Sequence, residues 1–258
     1  MATDIYNNKF VKKLFKNSEK IFKLYPLTAK ELRDFRRNLQ SRKRRRKVPY
    51  VQYNGDIFSD LSRVTETLED LRAVQVFLRQ YPYPKTLKKH KISRTGYAIY
   101  HIEVYFLKVA SLREKLGIMV NDVYQLGLPD RRVTIDLLAE MPTLKGTRPI
   151  TLLKHFSKSI EGIARQRHLV AHRGKYDDKE LTELRLYELV QERAKIPDFL
   201  IRLKIRWYVR EKLRIFKQNQ DEIEKFIDIF FSSLVKEFDR RCKALPDPST
   251  PAHRPGTS

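Results

Sequence analysis

The chain of 258 residues carries 54 Lys and Arg residues against 31 Asp and Glu residues, a formal net charge of +23 at pH 7. Hydrophobic residues make up 41% of it, which is enough for a core and excludes a wholly disordered polycation. No stretch approaches the ~18 uncharged apolar residues of a membrane span, and the N-terminus lacks the apolar segment of a secretory signal. The only cysteine, Cys242, excludes an internal disulfide. We therefore expect a soluble, cytoplasmic protein with a polyanionic partner and no membrane association.

Half of the excess positive charge lies near the N-terminus, where residues 1–48 contain 16 Lys and Arg residues and 4 Asp and Glu residues. It ends in a basic run, Arg42, Lys43, Arg44, Arg45, Arg46 and Lys47. Such a run attracts phosphate backbones without reading sequence. The alternatives are a solvated helix face and a basic amphipathic hairpin on an anionic membrane surface. The charge imbalance exceeds what solubility needs, and no lipidation signal accompanies it, so the run predicts nucleic-acid binding.

The first helices are predicted within this basic region. Apolar residues at helical spacing predict a helix over Asn8–Tyr25, which Pro26 ends. The spacing of Thr28 and Glu31 is that of a capping box and predicts a second helix, which carries the basic run at its end. Residues Pro49–Gly55 are predicted to be a connector. Residues 1–50 are therefore interpreted as a basic helical extension.

The middle of the chain, residues 56–192, predicts a helical bundle. One long segment is apolar around much of its circumference, which is typical of a central helix. Gly174 is expected to end the helix that precedes it, and Asp177 or Asp178 to cap the next. The predicted helices are Asp60–Tyr81, the central Ser93–Leu126, a short one around Val133–Glu140, Thr151–Arg173, and a last one through Glu192.

The rest of the chain predicts long helices that pack on the bundle. After Pro197 an apolar pattern that includes Phe199, Leu203 and Trp207 continues to about Lys243, with a break near Gln218–Gln220. Residues 195–244 are assigned to these helices, and 245–258 have the composition of a disordered tail. Since no series of strands is apparent, the sequence predicts an all-α protein.

The residues suited to chemistry gather in one helix, where Arg165, Arg167, His168 and His172 follow one another. An imidazole can take the proton of a ribose 2′-OH or protonate a leaving 5′-oxygen, and a guanidinium can stabilise charge on phosphoryl oxygens. The alternative is an ordinary basic helix end. His168 and His172 also have the spacing of two metal ligands, but no Cys or nearby carboxylate offers a third, and the arginines would repel a dication. Neither a metal nor a cofactor is predicted.

The segment from Arg167 to His172 resembles the R-x4–6-H motif of HEPN-domain ribonucleases, with His168 as the polar residue after the Arg. The resemblance implies a helical bundle that dimerises, metal-independent endoribonuclease activity in many members, and toxin–antitoxin or antiviral roles. It makes Arg167 and His172 the catalytic pair. Arg165 fits the upper spacing of the motif and returns to the His172 side of the helix, whereas Arg167 lies about 140° away. A cleft between two protomers accommodates either arginine.

Together these observations predict an all-α, HEPN-like bundle with additional N- and C-terminal helices. We expect it to cleave RNA by 2′-OH attack, leaving a 2′,3′-cyclic phosphate, to form a homodimer, and to be held in check by a protein antitoxin or inhibitor. One alternative is a non-catalytic nucleic-acid-binding module. Another is a dimeric interaction module that turns its charge against an acidic protein.

Overall fold

The computed structural model describes residues 5–24, 49–80, 89–173, 178–191 and 193–246. This part of the chain forms eight α-helices and two short 3-10 helices with no strand, which confirms the all-α class. The predicted second helix, the cap at Gly174 and the tail from residue 247 lie outside the described residues. None of the helices described is both long and apolar enough to cross a membrane. The α-helices are α1 (Lys9–Leu24), α2 (Pro49–Arg79), α3 (Arg94–Val123), α4 (Ile135–Glu140), α5 (Arg148–Ser159), α6 (Glu161–Arg173), α7 (Lys179–Val190) and α8 (Asp198–Ala244).

Helix α3 is the centre of the bundle and contacts α2 and each of α4 to α8. It begins after Ser93, whose hydroxyl accepts the Gly96 N–H at 3.0 Å and so satisfies one of the free amides of the first turn. Near its middle the buried Tyr105 ring stacks on Phe216 of α8, with ring centroids 3.7 Å apart. The central position predicted for this helix is confirmed.

Helix α1 completes the core at the far end of α8. Its Phe10 and Leu14 are fully buried, and the Phe10 ring lies 5.3 Å from that of Phe238. Just before the helix, the Asn8 amide donates to the Asp228 carboxylate at 2.7 Å. The lysines on the other side of α1 remain at the surface, so the basic N-terminal segment begins with a helix that the core requires.

Helix α8 is a single helix of 47 residues, so the break predicted near Gln218–Gln220 is wrong. Gln220 is buried and donates to the Glu224 carboxylate at 2.8 Å. The same carboxylate accepts from Arg72 of α2 at 2.7 Å. These polar groups form hydrogen bonds with one another on the packed side of the helix. The polar stretch can therefore be buried without breaking the helix.

The apolar pattern of α8 does not pack on the bundle along its whole length. Phe199, Leu203 and Trp207 are 60%, 49% and 70% exposed. The buried positions of the same stretch, among them Ile201 and Ile205, lie on the opposite side of the helix. The N-terminal part of α8 therefore carries apolar side chains on both of its sides.

Two predicted boundaries are corrected. Residues Pro49–Gly55 are the first two turns of α2, because proline suits the first position of a helix and Tyr50 and Tyr53 bury their rings. The segment Thr151–Arg173 is two helices, since the backbone leaves helical geometry at Ile160 (φ −98°, ψ 10°), whose buried side chain anchors the corner.

A buried acidic pair joins α2 to α3. The Asp60 side chain is 3% exposed and lies beside Asp122, with Arg63 as a partner at 3.3 Å. Burial, and then the Asp122 carboxyl, raise the pKa of Asp60 to about 8. The folded protein therefore keeps a proton on this pair at pH values where an unfolded aspartate, with a pKa near 3.9, has lost it.

The Asp60→Asn variant should be less sensitive to alkaline pH than the parent. Since the pKa of Asp60 is raised on folding, its contribution to stability is complete below about pH 4 and is lost as the pH rises towards 8. The free energy of unfolding, measured by urea denaturation at pH 5 and pH 8, should fall less for Asp60→Asn than for the parent. The exposed Asp221→Asn is the matched control and should behave as the parent does. An equal fall in Asp60→Asn and the parent would contradict this assignment.

Candidate functional site

Helix α6 carries all four arginine and histidine residues that the sequence singled out. It packs against α3 and more lightly against α5. Ile160 at its start is buried, and Ile163 is half-buried against the core, so one side of the helix is fixed to the bundle. The Arg165 and His168 side chains are exposed. The fold therefore holds α6 against the bundle and leaves Arg165 and His168 exposed, on a side that we call the open side of α6.

Arg165 and both histidine positions fall on one arc of α6. At about 100° per residue, positions 165, 168 and 172 lie within about 60° of arc on the helix. Positions 168 and 172 are one turn apart, about 6 Å along the helix axis. The exposed Arg165 guanidinium and His168 imidazole thus share one arc of the helix with position 172. Acid–base chemistry on a phosphodiester needs groups of these two kinds close together.

Arg167 lies on the side of α6 that meets α3. Its Nη2 atom is 3.6 Å from Oε1 of Glu114, and the two side chains are 40% and 50% exposed. An ion pair this exposed contributes at most about 1 kcal/mol, so Arg167 can exchange Glu114 for another anion. Sequence reasoning missed Glu114, because only the packing of α6 on α3 brings it near the motif.

The remaining predicted binding residues, Arg42 to Lys47, lie outside the described residues. No group of three or more His, Cys, Asp or Glu residues suited to a metal ion occurs among the side chains that the structure describes.

A small hollow of about 200 Å³ borders the start of α6. Its lining is mostly apolar and includes Phe156, Ile163 and Phe226, with His155 and Glu222 among its few polar groups. The hollow has a histidine but no Arg or Lys in its lining, so it lacks a cation to stabilise phosphoryl charge. The open side of α6 is the better candidate site.

Comparison with protein families finds a match. The family model described as Cthe2314-like HEPN matches residues 61–239. The matched region runs from α2 through most of α8, includes α6, and continues past residue 192, where the predicted helical domain ended. Comparison with curated proteins and with solved structures finds no match.

Proposed function

Because the chain belongs to the Cthe2314-like HEPN family, we propose that it is a metal-independent endoribonuclease that acts through the open side of α6. Membership of this family points to an RNA-related or defence role. The observation that carries the proposal is that exposed Arg165 and His168 lie on the same arc of α6 as position 172. The finer role we propose is that of a toxin or antiviral nuclease held in check by a protein antitoxin or inhibitor.

The reaction we propose needs only side chains of α6. His172 takes the proton of a ribose 2′-OH, and the 2′-oxygen attacks the adjacent phosphorus. The bond from phosphorus to the 5′-oxygen breaks, and that oxygen takes a proton, for which His168 is the nearby donor. An arginine stabilises the charge on the non-bridging oxygens: Arg167 by the family motif, or Arg165 by its position beside His172. The products are a 2′,3′-cyclic phosphate and a 5′-OH.

The test is RNA cleavage by the purified protein in excess EDTA. We expect cleavage under these conditions, with 2′,3′-cyclic phosphate and 5′-OH ends identified by mass spectrometry of the fragments. Fragments with 5′-phosphate ends, or activity that EDTA abolishes, would contradict the mechanism. No cleavage of any single-stranded or structured RNA would favour the second candidate below.

We also propose that two copies form the active nuclease. A single α6 offers one set of arginine and histidine groups, whereas a two-fold axis beside this helix would place each motif next to its copy and bring two sets to one phosphate. The protein should then be a dimer by light scattering at low micromolar concentration and moderate salt. Mixing His172→Ala subunits with parent subunits should change activity out of proportion to their ratio. A monomer with full activity would contradict the dimer and leave the chemistry standing.

The second candidate function is a non-catalytic RNA-binding module. The ion pair between Arg167 and Glu114 favours it, because this pair engages the arginine that the family motif would use. In either case we propose that the basic run, Arg42 to Lys47, holds the RNA backbone. Deletion of residues 1–48 is a poor test of that role, because α1 is part of the core.

A further inference from the structure

The N-terminal part of α8 has an unusual exposed side, which we call the outer face. At about 100° per residue its members lie within about 100° of arc, and each of them is exposed. The side chains buried on the opposite side of the same turns are Ile201, Ile205 and Tyr208. The outer face consists of Phe199, Leu203, Arg206, Trp207 and Arg210.

The aromatic residues of the outer face are far more exposed than their chemistry favours. Trp207, the only tryptophan of the chain, is 70% exposed, and Phe199 is 60% exposed. Leu203 lies between them and is 49% exposed. An exposed group of large apolar side chains in a folded protein marks a surface that binds something.

The net positive charge around these rings indicates the kind of partner that the outer face binds. Residues 198–217 contain seven Lys and Arg residues and two acidic residues. Both acids are paired: Asp198 with Arg94 at 2.7 Å, and Glu211 with Arg214 at 2.6 Å. Neither Arg206 nor Arg210 makes an ion pair with any residue in the part of the chain that the structure describes. The outer face is therefore complementary to a polyanion that also offers flat apolar surfaces.

A single-stranded nucleic acid has both properties, because its bases can stack on aromatic side chains while its phosphates pair with arginines. Phe199 and Trp207 are about 12 Å apart along the helix axis, far enough to serve separate bases. A duplex would not use this face, since its bases are already stacked on one another. An acidic protein would satisfy the arginines but gives no reason for the exposed rings.

We propose that the outer face of α8 binds single-stranded RNA, with bases stacked on Phe199 and Trp207 and phosphates held by Arg206 and Arg210. The choice of RNA rests on the proposed function.

The test measures RNA binding separately from cleavage. The probe is a single-stranded RNA of about 16 nucleotides, with 2′-O-methyl riboses that lack the attacking hydroxyl. Trp207→Ala and Phe199→Ala should each weaken binding at least about fivefold without changing its salt dependence. Arg206→Gln combined with Arg210→Gln should also weaken binding and make the slope of log K against log salt shallower by about 1.4, about 0.7 for each lost phosphate contact.

Two matched controls accompany these variants. Tyr100→Ala removes an exposed ring from α3, and the pair Lys225→Gln and Lys236→Gln removes two exposed charges from the distal half of α8. The ring control should leave affinity unchanged, and the charge control should change affinity less than the outer-face pair does. Binding of a duplex RNA should be insensitive to Trp207→Ala. Circular dichroism checks that each variant is as helical as the parent.

Three outcomes would overturn the proposal. The first is that the parent does not bind single-stranded RNA, and the second is that Trp207→Ala and Phe199→Ala bind RNA as tightly as the parent. The third is that these variants lose a dimer but keep their RNA affinity, which would show that a second copy covers the outer face. If the parent binds through this face yet never cuts unmodified RNA, the outer face stands and the nuclease proposal fails.

Discussion

RNA cleavage by the His172→Ala variant is expected to be at least about 100-fold slower than by the parent, because loss of a positioned general base costs 10²- to 10⁴-fold in rate. The measurement is the single-turnover rate in EDTA with protein in excess over RNA. Under this condition a loss of RNA affinity does not lower the measured rate of cleavage. The parent rate should depend on pH in the histidine range, and the variant should lose the part of that dependence in which the rate rises with pH as the general base loses its proton.

The control for this prediction is His90→Ala, which removes an exposed histidine outside α6. It should cleave as fast as the parent. If His172→Ala cleaved as fast as His90→Ala, the open side of α6 would not be the active site. Arg165→Ala and Arg167→Ala, measured in the same way, assign the charge-stabilising role to the arginine whose loss slows cleavage more.

Replacing Phe216 by alanine is expected to lower the free energy of unfolding by about 3–5 kcal/mol, the usual cost of removing a buried aromatic ring. Phe216 is 2% exposed and stacks on Tyr105 of the central helix, so its loss leaves a cavity where α3 and α8 meet. Urea denaturation followed by circular dichroism measures the change.

Phe199→Ala is the matched control for this effect, since it makes the same substitution in the same helix at a side chain that is 60% exposed. Its free energy of unfolding should stay within about 0.5 kcal/mol of the parent. Equal losses in the two variants would mean that Phe216 does not stabilise the core as its burial indicates. The control also establishes that the Phe199→Ala protein used for RNA binding is folded.

The helices that local patterns specify could be predicted from the sequence. The long apolar segment after Ser93 became the central helix, and Asp178 caps α7 by accepting the Leu181 N–H at 3.1 Å. The corner at Ile160 could not be predicted, because isoleucine keeps the apolar spacing of a continuous helix. The polar residues in the middle of α8 are satisfied in part by Arg72, 152 residues away from Glu224, and no local pattern contains that partner.

The candidate site was predictable only in part for the same reason. The spacing of Arg165 and His172 on one helix follows from the sequence, and the structure adds that this side of α6 is open at Arg165 and His168. The partner of Arg167 depends on which helix lies beside α6, so Glu114 could not be anticipated. The exposure of Trp207 could not be predicted either, since an apolar spacing does not show on which side of a helix the bundle lies.

The contact between α1 and the distal part of α8 has a consequence for synthesis of the protein. Phe10 leaves the ribosome early, but its ring packs against Phe238, and Asn8 bonds to Asp228, 220 residues later. Domains generally fold as units during translation, at ~5–20 residues per second. Here the contact between α1 and α8 cannot form until residue 238 has emerged, so the nascent chain spends ~10–50 s without it. A chain cut short before residue 238 would lack this contact and leave the Phe10 ring without its partner in α8, and exposed apolar surface of this kind is what chaperones bind.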